Sequence, residues 1–315
     1  MKAVVTGAAG FIGSHLSERL VDAGATVVAI DCFTDYYSRE LKERNLARLR
    51  ESPRFSLVAQ PLATADLPSL LSDATHVFHL AAQAGVRKSW GRDFRAYTVN
   101  NVEATQILLE ACVGKPIERF VYASSSSIYG DEVTLPMRED ARPQPVSPYG
   151  VTKLAAEQLC YLYYVNHSVP TVALRYFTVY GPRQRPDMGF SRFFGAVLRD
   201  EAVPMFGDGR QTRDFTFVAD AVSATVASAT RGTPGGVYNI GGGSRVELLD
   251  VFELIRVVTG RPLRISRLEP QRGDMRDTYA DTTRARTDLA FAPTVTLEQG
   301  LRAQYEWITA SNDQR

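Results

Sequence analysis

Three glycines, Gly7, Gly10 and Gly13, stand between an apolar run, Ala3-Val4-Val5, and a stretch of helical periodicity from Ser14 to Ala23. Without side chains here the backbone can turn sharply and approach an anion. The helix that follows offers unpaired N–H groups and the positive end of its dipole. A second apolar run, Thr26-Val27-Val28-Ala29-Ile30, completes a strand–helix–strand unit and ends at Asp31. A carboxylate at that distance from the glycines can accept both hydroxyls of an adenosine ribose and would repel a 2′-phosphate. No arginine follows until Arg39, so the pattern favours NAD over NADP. The expected cofactor contacts are Gly7, Gly10, Phe11, Ile12, Gly13 and Asp31.

Similar apolar runs recur at Phe55-Ser56-Leu57-Val58, Val77-Phe78-His79-Leu80, Phe120-Val121-Tyr122-Ala123 and Thr171-Val172-Ala173-Leu174, with helical periodicity between them. Strands alternating with helices imply an α/β fold of Rossmann type: a doubly wound parallel sheet covered on both faces. Ligands then belong outside the carboxyl ends of the strands. A chain of 315 residues suggests about two units. From about residue 180 the texture turns to loops rich in Gly, Pro and Arg, such as Gly181-Pro182-Arg183-Gln184-Arg185-Pro186. The expected division is an NAD-binding domain over 1–175, with segments near 213–240 returning to it, and a smaller α/β substrate lobe over most of 176–315. Within that lobe, Val237 to Ile240 reads as a strand, and Leu248 to Val258 reads as a helix stopped by Gly260.

Lysines and arginines number 36 against 35 aspartates and glutamates, which excludes a polyanion-binding tail and makes nucleic acid an unexpected partner. No window approaches about 18 uncharged apolar residues, and Met1-Lys2 leads into a short run without a cleavage pattern. A cytoplasmic protein without membrane contact is expected. Cys32, Cys112 and Cys160 lack metal or disulfide spacing and read as packing residues. His76 and His79 alternate within a strand pattern, so no metal site is expected.

Tyr149 and Lys153 are four apart at the start of a helical stretch, which places both side chains on one face. The chain has only five lysines. A compact ammonium can hydrogen-bond a ribose and lower a neighbouring phenol's pKa, which arginine does less well. With the positive ring of NAD⁺, Lys153 is expected to pull Tyr149 from near 10 towards neutrality and make it a base for a sugar hydroxyl. The run Ser124-Ser125-Ser126-Ser127 follows the Phe120 strand and sets hydroxyls at the same sheet edge.

These features resemble the extended short-chain dehydrogenases, the nucleotide-sugar epimerases and dehydratases. The order of Gly-x-x-Gly-x-x-Gly, Asp31, His79-Leu80-Ala81-Ala82, Ser124 to Gly130, Tyr149-x-x-x-Lys153, Leu174 to Pro182, Arg213-Asp214-Phe215 and Arg272-Gly273-Asp274 is theirs. The resemblance adds Leu80, Ala81 and Ala82 to the cofactor contacts and implies Tyr149, Lys153, Ser125 and Ser127 as catalytic residues. Similar dehydratases carry an Asp-Glu pair where this chain has Ser126-Ser127, and decarboxylases carry a glutamate at the position of Ser127. Their lack here implies an epimerase that oxidises and re-reduces one carbinol. One departure is that relatives place an acidic residue after the third strand to hold adenine, whereas this chain reads Val58-Ala59-Gln60-Pro61-Leu62.

Gly181 to Met188 resembles the loop of UDP-glucuronate 4-epimerases, where the arginine of Arg-Pro-Asp-Met meets the sugar carboxylate. A guanidinium suits that carboxylate as a planar fork. Thr178, where relatives that handle neutral sugars carry asparagine, leaves room for it. The implied substrate contacts are Arg87, Ser125, Ser126, Tyr149, Thr178, Arg185, Arg192, Arg213, Arg272 and Asp274. The expected activity is 4-epimerisation of a UDP-sugar, UDP-glucuronate first, through a 4-keto intermediate. UDP-glucose or N-acetylhexosamine 4-epimerase is the alternative, and a non-catalytic NAD-binding regulator is a more distant one. Leu154, Ala155, Leu159, Leu162 and Tyr163 form an apolar set broader than one packing face needs, so a homodimer is expected.

Overall fold

The computed structural model describes residues 1–312. Its first half runs β1 (Lys2–Thr6), α1 (Phe11–Asp22), β2 (Thr26–Ile30), α2 (Arg39–Arg50), β3 (Phe55–Val58), α3 (Leu67–Leu70) and β4 (His76–His79). α4 (Phe94–Tyr97) continues through a π-helical turn, Thr98–Glu103, into α5 (Ala104–Cys112). β5 (Arg119–Ser125), α6 (Pro148–His167) and β6 (Thr171–Tyr176) follow. The second half runs β7 (Thr178–Tyr180), α7 (Gly189–Leu198), β8 (Val203–Phe206), β9 (Thr212–Phe217), α8 (Val218–Arg231), β10 (Val237–Ile240), β11 (Arg245–Glu247), α9 (Leu248–Thr259), β12 (Ile265–Leu268), α10 (Thr283–Leu289) and α11 (Leu297–Asn312).

Seven strands form one parallel sheet in the order β3-β2-β1-β4-β5-β6-β10. Successive side chains of a strand point to opposite faces, and both faces here are covered, so each strand is apolar throughout. Ala3 and Val5 of β1 pack with Leu16 and Leu20 of α1, Ala221 and Val222 of α8, and Leu289 of α10. Val4, with Val77 and Phe120, packs on the other side with Leu108 and Leu109 of α5 and Ala156 and Cys160 of α6. The order reverses between β1 and β4, which opens the crevice where ligands bind in such sheets.

A second core gathers Phe190, Phe193 and Phe194 of α7 with Phe215, Phe252 and Leu301. Beside it stand a three-stranded sheet, β11-β9-β7, and a pair, β12-β8. The grouping of 213–240 as returning segments needs correction at β9: it pairs parallel with β7 and antiparallel with β11, because β7 leaves the main sheet directly after β6. α8 and β10 do lie against and within the main sheet. α10, further downstream, packs there too and was not anticipated. Asp214 ties the parts together, since its carboxylate accepts the Gly242 N–H at 2.6 Å and the Ala280 N–H at 3.1 Å. Of the span 176–315, residues 313–315 lie outside the described residues.

Helix ends follow local chemistry. Ser147 caps α6 by accepting the Gly150 N–H at 3.1 Å, with Pro148 in the first turn. α9 stops at Gly260, whose φ is +64°. Among the described residues, no helix is long and apolar enough to cross a membrane, and no group of three metal-ligating side chains occurs.

Candidate functional site

An open cleft of about 920 Å³ runs along the carboxyl ends of the main sheet and on to the second lobe. At its β1 end the glycine turn is sterically fixed. A Cβ on Gly13 would lie 2.2 Å from the Gly7 carbonyl oxygen, and one on Gly7, at φ +69°, would lie 2.7 Å from the Ala81 nitrogen. Ser14 begins the helical ladder by donating to Gly10 O. Among the described residues the N–H groups of Phe11, Ile12 and Gly13 have no acceptor, and all three residues line the cleft. Gly10, the cap, brings no side chain to compete for them. The turn therefore fits a diphosphate.

Asp31 is buried and accepts N–H bonds from Ala9 at 3.0 Å and Phe33 at 2.8 Å. These bonds aim a carboxylate that still has lone pairs for a diol. Burial pushes its pKa up, against those bonds and the nearby Lys42 ammonium. Leu80, Ala81 and Ala82 line the opposite wall, with the π-helical turn beyond them. That turn is held by Asn101, which accepts the Gln83 N–H and donates to Gln83 O and Thr152 Oγ1. Gln60, Pro61 and Leu62 stand at the cleft edge. Cys112 and Cys160 are buried packing residues. Cys32 instead is exposed on the cleft wall, because the chain leaves the sheet there. His79 is a core histidine, flanked by Thr6 Oγ1 at 2.7 Å and Thr105 Oγ1 at 2.9 Å, and burial with the Lys153 charge holds it down to about 3.

Tyr149 and Lys153 share the cleft-facing side of α6. Lys153 is 4% exposed, and its Nζ sits 4.7 Å from the centre of the Tyr122 ring. None of the described residues accepts a hydrogen bond from it, so its three donors are left for a ligand. Burial lowers its pKa to about 8, while Cys160 and Glu157 oppose that fall. Tyr149 differs from expectation. Burial raises its pKa in the free protein, and the groups opposing the rise are the Ser125 hydroxyl, by hydrogen bond, and the Arg185 charge. Solvent exclusion outweighs them. Ser125, at the end of β5, also accepts the Ser127 N–H at 3.1 Å, and Ser125, Ser126 and Ser127 all line the cleft. Ser124 turns away to Glu157 Oε2 at 2.5 Å. Glu157 is buried and paired with Arg175 at 2.6 Å, one helical turn beyond Lys153.

The far end of the cleft carries the positive side chains. Arg87 stacks on the Phe206 ring at 3.9 Å and pairs with Asp274 at 2.6 Å. Arg192, exposed, lies 5.8 Å from the same ring. Arg213 lines the wall near them, with Nη1 donating to the Thr212 and Arg276 carbonyls. Thr178 and Arg185 line the middle of the cleft, and Arg185 pairs with Asp187 at 3.0 Å. The structure does not bring Arg272 into this group: it is exposed and outside the cleft wall, whereas its neighbours Gly273 and Asp274 line it. Phe206, Tyr36 and Asp187 escaped the sequence reading. The Phe206-Gly207-Asp208-Gly209 run and the Arg185-Pro186-Asp187 element were the available signals.

Residues 3–241 match the sequence pattern of the NAD dependent epimerase/dehydratase family. An uncharacterized UDP-glucose epimerase of Bacillus subtilis, YtcB, is 43% identical over 98% of both chains. A UDP-glucuronate 4-epimerase of Thermodesulfobacterium geofontis is 34% identical over 96% of this chain and 95% of its own. The crystal structure of a UDP-glucuronic acid 4-epimerase from Bacillus cereus, in complex with UDP-glucuronic acid and NAD, superposes with a TM-score of 0.96 at 44% identity, covering 99% of this chain and 100% of that one.

Proposed function

The chain belongs to the NAD-dependent epimerase/dehydratase family, and on that premise we propose that it is an NAD-dependent UDP-glucuronate 4-epimerase. The observation that carries this reading is one cleft holding the Tyr149, Lys153 and Ser125 group, a serine run without carboxylates, and the Arg185 guanidinium. The free N–H groups of Phe11, Ile12 and Gly13 would take the NAD diphosphate and Asp31 the adenosine ribose. Lys153 would take the second ribose. Bound NAD supplies a hydride acceptor and donor for the sugar carbon.

Tyr149, hydrogen-bonded to Ser125, takes the proton from the C4 hydroxyl and later returns it to the C4 oxygen presented from the opposite face. Lys153, charged below about pH 8, stabilises the phenolate in between. Ser126 and Ser127 offer no acid–base pair, so loss of water across C5 and C6 has no catalyst. Arg87, Arg192 and Arg213, with the Phe206 ring, form the diphosphate and uridine end. Arg185 and Thr178 hold the sugar carboxylate. That restraint keeps the C5–C6 bond out of line with the C4 carbonyl, which suppresses CO₂ loss from the keto acid.

Incubating the purified protein with UDP-glucuronate and following UDP-galacturonate by NMR tests the reading. Arg185→Ala is expected to lower kcat/KM for UDP-glucuronate by about 10- to 100-fold, the loss of a charged hydrogen-bonded pair. UDP-glucose epimerisation is the second reading, favoured by the 43% identity to the B. subtilis protein, named as a UDP-glucose epimerase. Undiminished turnover of UDP-glucuronate by Arg185→Ala would support it instead. A regulator without turnover has no use for Tyr149 and Lys153.

The division of labour we infer gives cofactor binding to 1–175 together with α8 and β10, and sugar recognition to most of 176–315. Val151, Tyr161, Leu162 and Val165 stay exposed on α6, which supports pairing of two copies along that helix. A charged nucleotide sugar does not cross membranes unaided, which favours a cytoplasmic site of action.

A further inference from the structure

Tyr36, in the segment between β2 and α2, donates its hydroxyl to Asp187 Oδ2 at 3.2 Å. Asp187 in turn accepts from Arg185, Nε to Oδ1 at 3.0 Å and Nη2 to Oδ2 at 3.0 Å. The row joins the two walls of the cleft. Close approach makes it possible: a Cβ on Gly85, at φ +105°, would lie 2.4 Å from the Tyr36 hydroxyl. The Gly85 carbonyl is fixed by Tyr97, whose hydroxyl donates to it at 2.7 Å and whose ring packs edge-on against Tyr149. Burial and the Asp187 charge keep the Tyr36 phenol protonated, and so a donor, far above neutral pH.

A guanidinium has five N–H donors on its planar fork. Asp187 uses the side edge, Nε and one hydrogen of Nη2. The end-on edge, Nη1 with the other hydrogen of Nη2, is left for the cleft that Arg185 lines. We propose that Tyr36 and Asp187 are positioning residues: they fix the plane of Arg185 so that only its end-on edge meets the sugar carboxylate. The proposal rests on the uronate reading above. An arginine side chain has roughly 2 kcal/mol of rotamer entropy to lose on binding, and the row removes it before substrate arrives. A guanidinium fixed in place and plane also fixes where the carboxylate sits relative to the ring, which keeps the C5–C6 bond close to the plane of the C4 carbonyl and out of overlap with its π orbital. If it loosens, the C5–C6 bond of the 4-keto sugar can break: CO₂ leaves, and its electron pair enters the C4 carbonyl as an enolate that then takes a proton.

The test uses the NAD-loaded protein, wild type, Tyr36→Phe and Asp187→Asn. Calorimetry gives Kd for UDP-glucuronate and for UDP, and NMR gives the ratio of decarboxylated to epimerised product. Tyr36→Phe is expected to raise Kd for UDP-glucuronate by ~3- to 10-fold, the worth of one hydrogen bond, with Kd for UDP changed less than about twofold. CO₂ loss per epimerisation should rise at least threefold by the same restraint argument, and Asp187→Asn should exceed Tyr36→Phe in both readouts. The idea is overturned if the two affinities move together, or if neither affinity nor product ratio moves. Tyr36→Phe decides alone if Asp187→Asn does not fold. Lack of 4-epimer from the wild type counts against the proposed function, whereas an unchanged preference in Tyr36→Phe counts against the row.

Discussion

Glu157 and Arg175 are the most informative place to perturb the interior. Glu157 is 3% exposed and Arg175 4%. The Glu157 carboxylate accepts from Arg175 Nη2 at 2.6 Å and Nε at 3.1 Å and from Ser124 at 2.5 Å, while Arg175 Nη1 donates to Tyr129 Oη at 2.8 Å. Glu157→Gln keeps the shape but leaves the guanidinium uncompensated in a site closed to water. Removing one member of such a pair costs about 3–5 kcal/mol, a large fraction of a total of roughly 5–15 kcal/mol. The unfolding free energy from urea melts should fall by that much without a change in slope. The double variant Glu157→Met with Arg175→Met should recover most of the loss, because neither charge then remains. Glu157 also supports the Lys153 charge. Lys153 in Glu157→Gln should therefore lose its proton at lower pH, and the basic limb of the kcat profile should move acidward. A loss of unfolding free energy below about 1 kcal/mol would show that Arg175 reaches water and would refute the reasoning.

Further outcomes follow from the same geometry. Lys153 drops from 10.5 in the unfolded chain to about 8 on folding. Between those values the unfolded form binds more protons, so stability rises with pH across that window, and below it the folded form bears the full desolvation cost. Lys153→Met should thus raise the unfolding free energy at pH 7 by roughly 3 kcal/mol while abolishing turnover; a lowered value would contradict this. Gly13→Ala forces a Cβ to 2.2 Å from the Gly7 carbonyl and should weaken NAD binding by more than ~100-fold in a fluorescence titration. Phe206→Ala removes the ring under Arg87 and should raise Kd for UDP by ~3- to 30-fold by calorimetry, as loss of a partly desolvated cation–π contact implies.

Much of this architecture was legible in the sequence because it rests on local rules. The runs at Thr26–Ile30, Phe55–Val58 and Val237–Ile240 are strands with the bounds read from their apolar residues, and Gly260 ends α9 in the left-handed conformation that a glycine tolerates. The glycine turn and Asp31 were readable because a backbone contact dictates those residue types. Long-range partners were not. Nothing near Tyr36 announces Asp187, 151 positions away, and nothing in α10 marks it for the main sheet rather than the second lobe. Phe206 looks like any loop aromatic until Arg87 lies over it. The direction of the Tyr149 shift was missed for a related reason: a motif names the neighbouring charge but not the depth of burial, and burial dominates in the free protein.

The place of β10 at the outer edge of the seven-stranded sheet, beside β6, bears on how the chain can be divided. A fragment ending at residue 175 would leave β6 as a bare edge and strip α8 from Leu16 and Leu20. Unpaired edges and uncovered apolar faces of that kind aggregate. Grafting the sugar-recognising part onto another nucleotide-binding scaffold would therefore require moving its returning strand and helices as well, and any split-protein reporter would have to be cut after α10, which also packs on the main sheet, rather than at the boundary that sequence texture suggests.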